Sequence, residues 1–469
     1  MIGHEPLHRL LQRWRDQHLH HLAPRSAIRV LDVEVLRQGR PGIVDVVAEM
    51  DGRLAHAVFG VCRPGHELRV LGPVEEPALG TLEDGEGVGL VVDALHEAAT
   101  ARLVLDAVGG SALVAVSHVP AVSLVRDDEE AIALAFDHRY TLTIFPWLSR
   151  GPHPGTALLA GLDGAGFNHL PAPVAFWRRA GRDLGVVQEL LSGASSGWAL
   201  AISSLRDLIA SGVPPDVAGG DFAPEALALG TMAARMHMAL DRAFGREPGD
   251  VAAWVDALRQ DVLAVSLRGG DRSGRHGPGL AGAGAASAAG AATATDAATA
   301  TDAATASDDA TATDDATATA TAGDLLEALR RSGLHPPAIR THGDLHLGRT
   351  ARTDHGWVLA DCMPGGAAPG SEAPVFRCPL ADVADLTWSL HHAAEVAASE
   401  RGPAPASTRA ADLAAAWEAR NRRALLAAYL ATPGIGGLVP ADRRAVRRLL
   451  RMFELARAAR GAWGAPPVC

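Results

Sequence analysis

The chain has 469 residues, which is enough for two or three domains, and 48% of them are hydrophobic, which is enough for large cores. Its formal net charge of −11, without a basic stripe, argues against nucleic acid as a partner. The sequence shows no membrane-length apolar run or signal-peptide core, and its four cysteines lack metal-ligand spacing, so we expect a reduced cytoplasmic protein with no membrane partner.

The first hundred residues combine helix and strand patterns. Residues 7–17 place their leucines and Trp14 on one stripe, which predicts a short amphipathic helix. Strand patterns follow at residues 28–36, 42–49 and 54–61. Residues 88–109 are read as a further helix, which is expected to begin near Asp93 and to end at Gly109. We therefore predict an N-terminal cap over residues 1–108, made of a small antiparallel sheet and helices.

A second group of strand patterns follows the cap. Its apolar or alternating segments lie at residues 113–125, 131–136, 140–145, 174–177 and 184–191. A helix is expected at residues 154–165, where Gly166 provides a stop. Residues 109–195 are therefore predicted to form a β-rich small lobe.

Helical patterns dominate the rest of the chain. They lie at residues 197–211, 224–244, 324–332, 379–396, 412–430 and 441–462. Residues 269–323 interrupt them with a segment rich in Ala, Thr, Asp and Gly, which has almost no large apolar side chain to offset its ordering entropy. We predict a helical large lobe over residues 196–469 that contains a disordered insertion.

The main candidate site lies within residues 339–361. A β-branched run leads into His342-Gly343-Asp344, and a hairpin pattern that turns at Asp354-His355-Gly356 ends at Asp361. This order predicts that Asp344 and Asp361 reach one site. Kinases use such a pair, in which one Asp orients the acceptor hydroxyl and takes its proton while the other holds Mg²⁺. Two solvated loop aspartates are the alternative.

The segment Thr-His-Gly-Asp-Leu-His-Leu-Gly-Arg at residues 341–349 resembles the catalytic loop of maltokinases and of aminoglycoside-phosphotransferase-like kinases. Further similar blocks lie at residues 151–154, 165–167, 188–189, 197–198, 379–384 and 453–455. The resemblance implies an α+β, bilobal protein-kinase-like fold with an N-terminal cap domain. It also implies ATP and Mg²⁺ as cofactors and a sugar as acceptor. The acceptor is maltose in maltokinases and a monosaccharide in the related glucosamine kinases.

The resemblance implies roles for particular residues. Asp344 falls on the catalytic base, and Asp361 falls on the metal-binding aspartate. His342 is expected to hydrogen-bond the backbone of the catalytic loop, and Asp382 is expected to be structural in its motif. The dipeptide Gln188-Glu189 lies where kinases place the hinge, whose backbone contacts adenine.

The chain also departs from this pattern at the phosphate-binding positions. Thr143 replaces the phosphate-positioning lysine and Ala157 replaces its glutamate partner, although kinases use this ion pair to hold the phosphates. Arg349 replaces a glutamine that can ligate Mg²⁺, and it either clamps phosphate or pairs with the aspartates. The acidic run 127–130 falls on the phosphate-covering turn, where it would repel a triphosphate unless it faces solvent. Cys362 stands after Asp361, and the second acidic residue of the metal motif is lost.

Three functions stay open on this basis. The first is a sugar kinase that uses Asp344 as base and Asp361 for Mg²⁺. The second is a pseudokinase that binds a small sugar or nucleotide and acts as a regulatory protein. The third is a structural partner of an α-glucan or trehalose-pathway enzyme. The resemblance to these kinases favours the first function, whereas the loss of the phosphate-binding groups and of the second metal ligand favours the second.

Overall fold

The computed structural model describes residues 4–18, 27–72, 78–85, 87–110, 113, 121–217, 221–270, 322–362, 376–400 and 406–460. Its helices are α1 (His4–His18), α2 (Ala98–Gly109), α3 (Pro154–Gly164), α4 (Gly197–Ser211), α5 (Ala223–Phe244), α6 (Val251–Gly270), α7 (Ala322–Arg330), α8 (Leu380–Ser399), α9 (Ala406–Ala431) and α10 (Arg443–Arg460). None of these described helices is both long enough and apolar enough to cross a membrane.

The strands of the described residues are short and pair antiparallel. They are β1 (Ile28–Arg37), β2 (Gly42–Met50), β3 (Arg53–Cys62), β4 (Ala78–Asp84), β5 (Gly87–Asp93), β6 (Val122–Asp127), β7 (Ile132–Phe136), β8 (Tyr140–Ile144), β9 (Trp147–Leu148), β10 (Pro173–Arg179), β11 (Arg182–Glu189), β12 (Ser195–Ser196), β13 (Arg246–Pro248), β14 (Pro337–Arg340), β15 (Thr350–Thr353), β16 (Gly356–Leu359) and β17 (Phe376–Arg377). The predicted mixture of helices and antiparallel strands is confirmed.

The first sheet packs against the amphipathic helix α1. Its strand order is β1-β2-β3-β5-β4, and β9 adds to it by pairing with β3. Leu7, Leu11 and Trp14 of α1 are buried in the core that this sheet forms. The helix predicted over residues 7–17 and the three strands predicted after it are therefore confirmed.

The second sheet shares a hydrophobic core with the first. Its strand order is β10-β11-β8-β7-β6. Val47 and Val58 from the first sheet belong to the same buried cluster as Leu134 and Leu142 from the second. Because one apolar core serves both sheets, the residues predicted as cap and small lobe pack as one unit.

The helix predicted from about Asp93 begins only at Ala98. The residues before it form β5, which pairs with both β3 and β4 and buries Val91 and Val92. Glu97 then starts the helix, because its carboxylate accepts the backbone N–H groups of Ala99 at 3.2 Å and Thr100 at 2.8 Å. The apolar run therefore belongs to a central strand, and a side-chain cap separates it from the helix.

The helical lobe is organised around α5 and α8. α9 packs against both of these helices, and α10 packs against α8. The buried cluster of this lobe includes Leu229 and Met236 of α5 together with Leu386 and Leu390 of α8. These helices follow the predicted order closely, because their apolar residues recur at helical spacing.

Two three-stranded sheets carry the segment that was predicted to hold the site. β14 lies between β13 and β17, and β15 lies between β12 and β16. The hairpin β15–β16 pairs Thr350 with Leu359 and turns at Asp354-His355, as the sequence predicts. The end of β16 leads directly to Asp361.

The predicted insertion falls almost entirely outside the described residues. α6 ends at Gly270 and α7 begins at Ala322, so residues 271–321 are not among those that the structure describes.

Candidate active site

Asp382 anchors the loop that carries Asp344. Its buried carboxylate accepts the backbone N–H groups of His342 at 2.8 Å and Gly343 at 2.9 Å. It also lies 3.1 Å from Nε2 of the buried His237. Burial opposes a charge here, but His237, His342 and the backbone N–H of Gly343 together outweigh it and hold the pKa of Asp382 below its ordinary value. Gly343 has a φ of +87°, a conformation that glycine adopts without steric strain.

His342 connects the loop to the end of the hairpin. Its Nδ1 accepts the backbone N–H of Asp344 at 3.3 Å, and its Nε2 lies 2.9 Å from the carbonyl oxygen of Asp361. The ring therefore carries its proton on Nε2, which donates to that carbonyl. This geometry supports the structural role that the sequence predicts for His342.

The two candidate carboxylates meet on one guanidinium. Arg349 lies at the end of a short 3₁₀ helix, Leu347–Arg349. One of its terminal nitrogens donates to Oδ2 of Asp361, and the other lies 3.3 Å from Oδ2 of Asp344. Burial opposes the charge of Arg349, but the two carboxylates raise its pKa. Of the two interpretations given for Arg349, the structure shows the pairing with both aspartates.

Two further arginines approach the same carboxylates, and sequence reasoning missed both. Nη1 of Arg126, near the end of β6, lies 3.7 Å from Oδ2 of Asp361. Nη1 of Arg457, on α10, lies 3.8 Å from Oδ1 of Asp344. The position of Arg457 four residues after the buried Phe453 indicates an inward helical face. No local signal indicates the partner of either arginine.

The acidic turn after β6 is paired with cations. The guanidinium of Arg126 lies 2.6 Å from Asp128 and 2.6 Å from Glu130. Oδ2 of Asp127 lies 3.1 Å from Nε2 of His96. Arg126 therefore offsets part of the negative charge of this turn, a contribution that the sequence analysis did not include.

His346 faces Asp344 from the other side of the loop. Its Nδ1 accepts the backbone N–H of Gly348 at 3.1 Å, and its Nε2 lies 3.5 Å from Oδ2 of Asp344. Burial lowers the pKa of His346, although Asp344 acts in the opposite direction. The neutral ring therefore presents its Nε2–H to the carboxylate and helps to orient it.

The remaining predicted residues lie on the second sheet. Thr143 is half-buried on β8, between Ala133 of β7 and Val186 of β11. Gln188 and Glu189 end β11, where the backbone N–H of Glu189 donates to the carbonyl of Ala172 at 2.9 Å. Direct contacts join the other predicted residues, which are His342, Asp344, Arg349, Asp361 and Asp382.

The observed arrangement does not fit a Mg²⁺ ion shared by Asp344 and Asp361. Arg349 already bridges the two carboxylates, and Arg126 approaches the same oxygen of Asp361. Mg²⁺ requires oxygen ligands in near-octahedral geometry and is repelled by a guanidinium at the same position. Positive charge at this site is thus supplied by arginine side chains.

A buried polar group adjoins the site on the helical side. Nε of Arg457 lies 3.9 Å from Oδ1 of Asp385 on α8, so one guanidinium links Asp385 to Asp344. Glu454 on α10 accepts hydrogen bonds from Arg422 and from the hydroxyl of Thr387, the latter at 3.1 Å. Arg457 thus brings the buried carboxylate of Asp385 close to Asp344 from the helical side.

The fold and the loop that carries Asp344 define a kinase-like protein. A solved structure described as glucosamine kinase in complex with glucosamine, ADP and inorganic phosphate aligns with a TM-score of 0.59 and 20% identity, covering 94% of this chain and 90% of that chain. The predicted α+β, kinase-like fold is therefore confirmed. No protein-family model matches the sequence.

Two curated relatives agree with this class. The chain is 26% identical to a glucosamine kinase of Streptacidiphilus jiangxiensis over 414 residues, which are 78% of this chain and 82% of the relative. It is 27% identical to a glucosamine kinase of Mycolicibacterium smegmatis over 268 residues, which are 55% of this chain and 56% of that relative. Both relatives are sugar kinases, and these similarities do not single out the maltokinases.

Proposed function

We propose that this protein is a sugar kinase that transfers the terminal phosphoryl group of ATP to a hydroxyl group of an amino sugar. The observation that carries the proposal is that the carboxylates of Asp344 and Asp361, which belong to separate segments, reach the same point of the structure. The similarity to glucosamine kinases supports the acceptor class, and the ADP in one such structure supports the nucleotide.

Asp344 acts on the acceptor hydroxyl. Its side chain is only 7% exposed and is oriented by the loop contacts of His342 and His346. The carboxylate accepts the hydrogen bond of the sugar hydroxyl and takes its proton as the new oxygen–phosphorus bond forms. The bond from the terminal phosphorus to the bridging oxygen breaks, and ADP leaves.

Arg349 and Arg126 bind the phosphates. The lysine and glutamate that hold the phosphates in kinases are replaced by Thr143 and Ala157, so the charge must come from elsewhere. A guanidinium matches phosphate oxygens with two parallel hydrogen bonds. On nucleotide binding, Arg349 exchanges a carboxylate partner for phosphate oxygens, which releases Asp344 for the acceptor.

Asp385 recognises the amino group of the acceptor. It lies beyond Arg457 on the helical side of Asp344, and its side chain is buried. A protonated amine would give this buried carboxylate a second cationic partner beside Arg457, which a neutral sugar such as maltose does not provide. Asp385→Asn should therefore raise the KM for glucosamine more than the KM for maltose.

A phosphotransfer assay with the full chain tests the proposal. ATP is supplied with glucosamine or with maltose, and both ADP and the phosphorylated sugar are measured. Wild type should phosphorylate glucosamine, and Asp344→Asn should lower kcat by about 10²–10⁴-fold while nucleotide affinity is retained. Asp354→Asn, in the exposed hairpin turn, is the matched control and should behave as wild type. Wild-type activity that equals that of Asp344→Asn would refute the proposal.

A pseudokinase is the second candidate, and the bridging Arg349 favours it. With both carboxylates paired to arginines and with Thr143 and Ala157 in place of the ion pair, the site binds ligand without turnover. Thermal unfolding with ATP and with glucosamine separates the candidates. A ligand at 100 times its Kd adds about 2.7 kcal/mol of stability, so a pseudokinase shows this shift with no phosphorylated sugar.

A further inference from the structure

Three metal-ligating side chains from separate segments meet in the N-terminal part of the molecule. His18 lies in the last turn of α1, Asp93 ends β5, and His96 lies in the turn that follows. One candidate ligand atom from each residue lies within 4.8 Å of the other two. Nε2 of His18 is 2.8 Å from Oδ2 of Asp93, and Nδ1 of His96 is 3.2 Å from Oδ1 of Asp93.

The three atoms that converge are buried. The exposed fractions of the side chains are 7% for His18, 1% for Asp93 and 0% for His96. Within the described part of the chain, Nε2 of His18, Oδ2 of Asp93 and Nδ1 of His96 are buried atoms that make no contact with hydrogen-bond geometry. The two imidazoles lie at ion-pair distances from the carboxylate but lack hydrogen-bond geometry, so a ligand shared by the three atoms would satisfy them better than these contacts do.

The groups behind the three atoms fix their orientation. Oδ1 of Asp93 accepts the backbone N–H of Leu95 at 2.9 Å, which directs Oδ2 toward His18. Nε2 of His96 lies 3.1 Å from Oδ2 of Asp127, so this nitrogen carries the proton and donates to that carboxylate. A carboxylate that holds the far nitrogen of a ligating imidazole is common around protein-bound metals.

We propose that His18, Asp93 and His96 form a binding site for a divalent transition-metal ion of the Zn²⁺ class. Two imidazole nitrogens and one carboxylate oxygen suit Zn²⁺ or Co²⁺, whereas Mg²⁺ and Ca²⁺ prefer sites made of oxygen alone. Three protein ligands and one water complete a tetrahedral shell. This site is separate from Asp344 and Asp361, and a bound ion would tie α1 to the end of β5 in the first sheet.

The competing explanation is an ion pair without a metal, in which a protonated imidazole lies between carboxylates. The two rings are close, with centroids 4.7 Å apart, so two protonated imidazoles would repel each other. A metal ion accepts lone pairs from both neutral rings and removes this conflict. The two explanations differ in whether the folded chain takes up metal.

Metal titration of the full chain decides between them. The protein is stripped with a chelator and titrated with Zn²⁺ by calorimetry and with Co²⁺ by visible absorption. We expect one tightly bound ion per chain, a Co²⁺ spectrum typical of nitrogen and oxygen ligands, and a higher Tm with Zn²⁺. Absence of uptake by the stripped wild type would overturn the proposal.

Matched variants locate the ion. His18→Gln should weaken Zn²⁺ binding at least tenfold, whereas His8→Gln, on the same helix and next to Gln12, should leave it unchanged. His20→Gln with His21→Gln tests the two histidines that follow in the sequence, and metal binding should persist. Circular dichroism confirms that each variant is folded. Undiminished binding by a folded His18→Gln variant would refute the site, and His96→Gln provides a second test if His18→Gln fails to fold.

Discussion

Arg126 lies 3.7 Å from Asp361, measured from Nη1 to Oδ2, and this contact joins the second sheet to the end of hairpin β15–β16. The same guanidinium holds Asp128 and Glu130 at 2.6 Å each. Three carboxylates thus share one arginine at the entrance to the candidate site. A phosphate group that binds here meets a cation already positioned by its neighbours, which reduces the ordering entropy that binding costs.

Replacing Arg126 should therefore weaken nucleotide binding. We expect Arg126→Gln to raise the Kd for ATP about tenfold or more, because a hydrogen bond to a charged group contributes roughly 1.5–3 kcal/mol. The loss also leaves Asp128 and Glu130 without this partner. Isothermal titration calorimetry measures the effect, with Arg102→Gln as control because Arg102 pairs with Asp106 on the solvent side of α2. Equal ATP affinity in wild type and Arg126→Gln would show that the phosphates bind elsewhere.

Arg349→Gln tests whether an arginine replaces the metal. The variant removes the charge that bridges Asp344 and Asp361 and introduces an amide oxygen that can ligate Mg²⁺. We expect the affinity for ATP without Mg²⁺ to fall about tenfold and the dependence of ATP binding on Mg²⁺ to rise. The Kd for ATP is measured with and without Mg²⁺.

Arg352→Gln is the matched control for this substitution. Arg352 lies three residues after Arg349, on β15, and pairs with Glu225. It should show the Mg²⁺ dependence of wild type. If Arg349→Gln and Arg352→Gln give the same nucleotide affinities, Arg349 is not a phosphate ligand.

Asp382→Asn should destabilise the fold. The buried carboxylate accepts from the backbone of His342 and Gly343 and pairs with His237. Removing one partner of a buried pair typically destabilises a protein by about 3–5 kcal/mol. The pKa of Asp382 is lowered in the folded state, so its contribution is present above about pH 4 and is lost as the pH falls below that value.

Urea unfolding at pH 7 and at pH 3 measures this contribution. Wild type and Asp382→Asn should differ strongly at pH 7 and less at pH 3. Asp106→Asn, at the exposed end of an ion pair on α2, should remain within about 0.5 kcal/mol of wild type. A constant difference between wild type and Asp382→Asn at both pH values would mean that charge is not the reason for the loss.

Much of the fold could be predicted from local pattern. The bounds of α4 match the prediction at both ends, because Gly197 and Gly212 frame an apolar run at helical spacing. The strand at Gly87–Asp93 was predicted wrongly, because its apolar run does not distinguish a central strand from a helix and only the cap by Glu97 separates them.

The candidate site was predictable only in part. The pattern around Asp344 and Asp361 indicates two carboxylates at one place, because the hairpin between them is local in sequence. Arg126 and Arg457 reach the same place from distant segments, and their positions depend on how β6 and α10 pack. Such contacts leave no local signal, so reasoning from the sequence found the carboxylates but missed two of the cations that balance them.

His391 should make the stability of the helical lobe depend on pH in the alkaline range. Its Nδ1 lies 2.9 Å from Oε2 of Glu418, and its Nε2 lies 3.3 Å from Oε1 of Glu395. Burial opposes the charge, but the hydrogen bonds of these two carboxylates prevail and raise the pKa of His391 to about 10. Because the pKa is raised above the ordinary value of about 6.5, the stabilisation is complete below pH 6.5 and is lost as the pH rises through 10. We expect His391→Gln to lower the free energy of unfolding at pH 6 by a few kcal/mol, on the order of the effect of breaking a buried ion pair. Near pH 10.5 the variant should match wild type.

Urea unfolding at pH 6, 8 and 10.5 measures the difference, with His355→Gln in the exposed hairpin turn as control. A difference that does not shrink between pH 6 and pH 10.5 would show that packing, and not the charge of His391, carries the contribution.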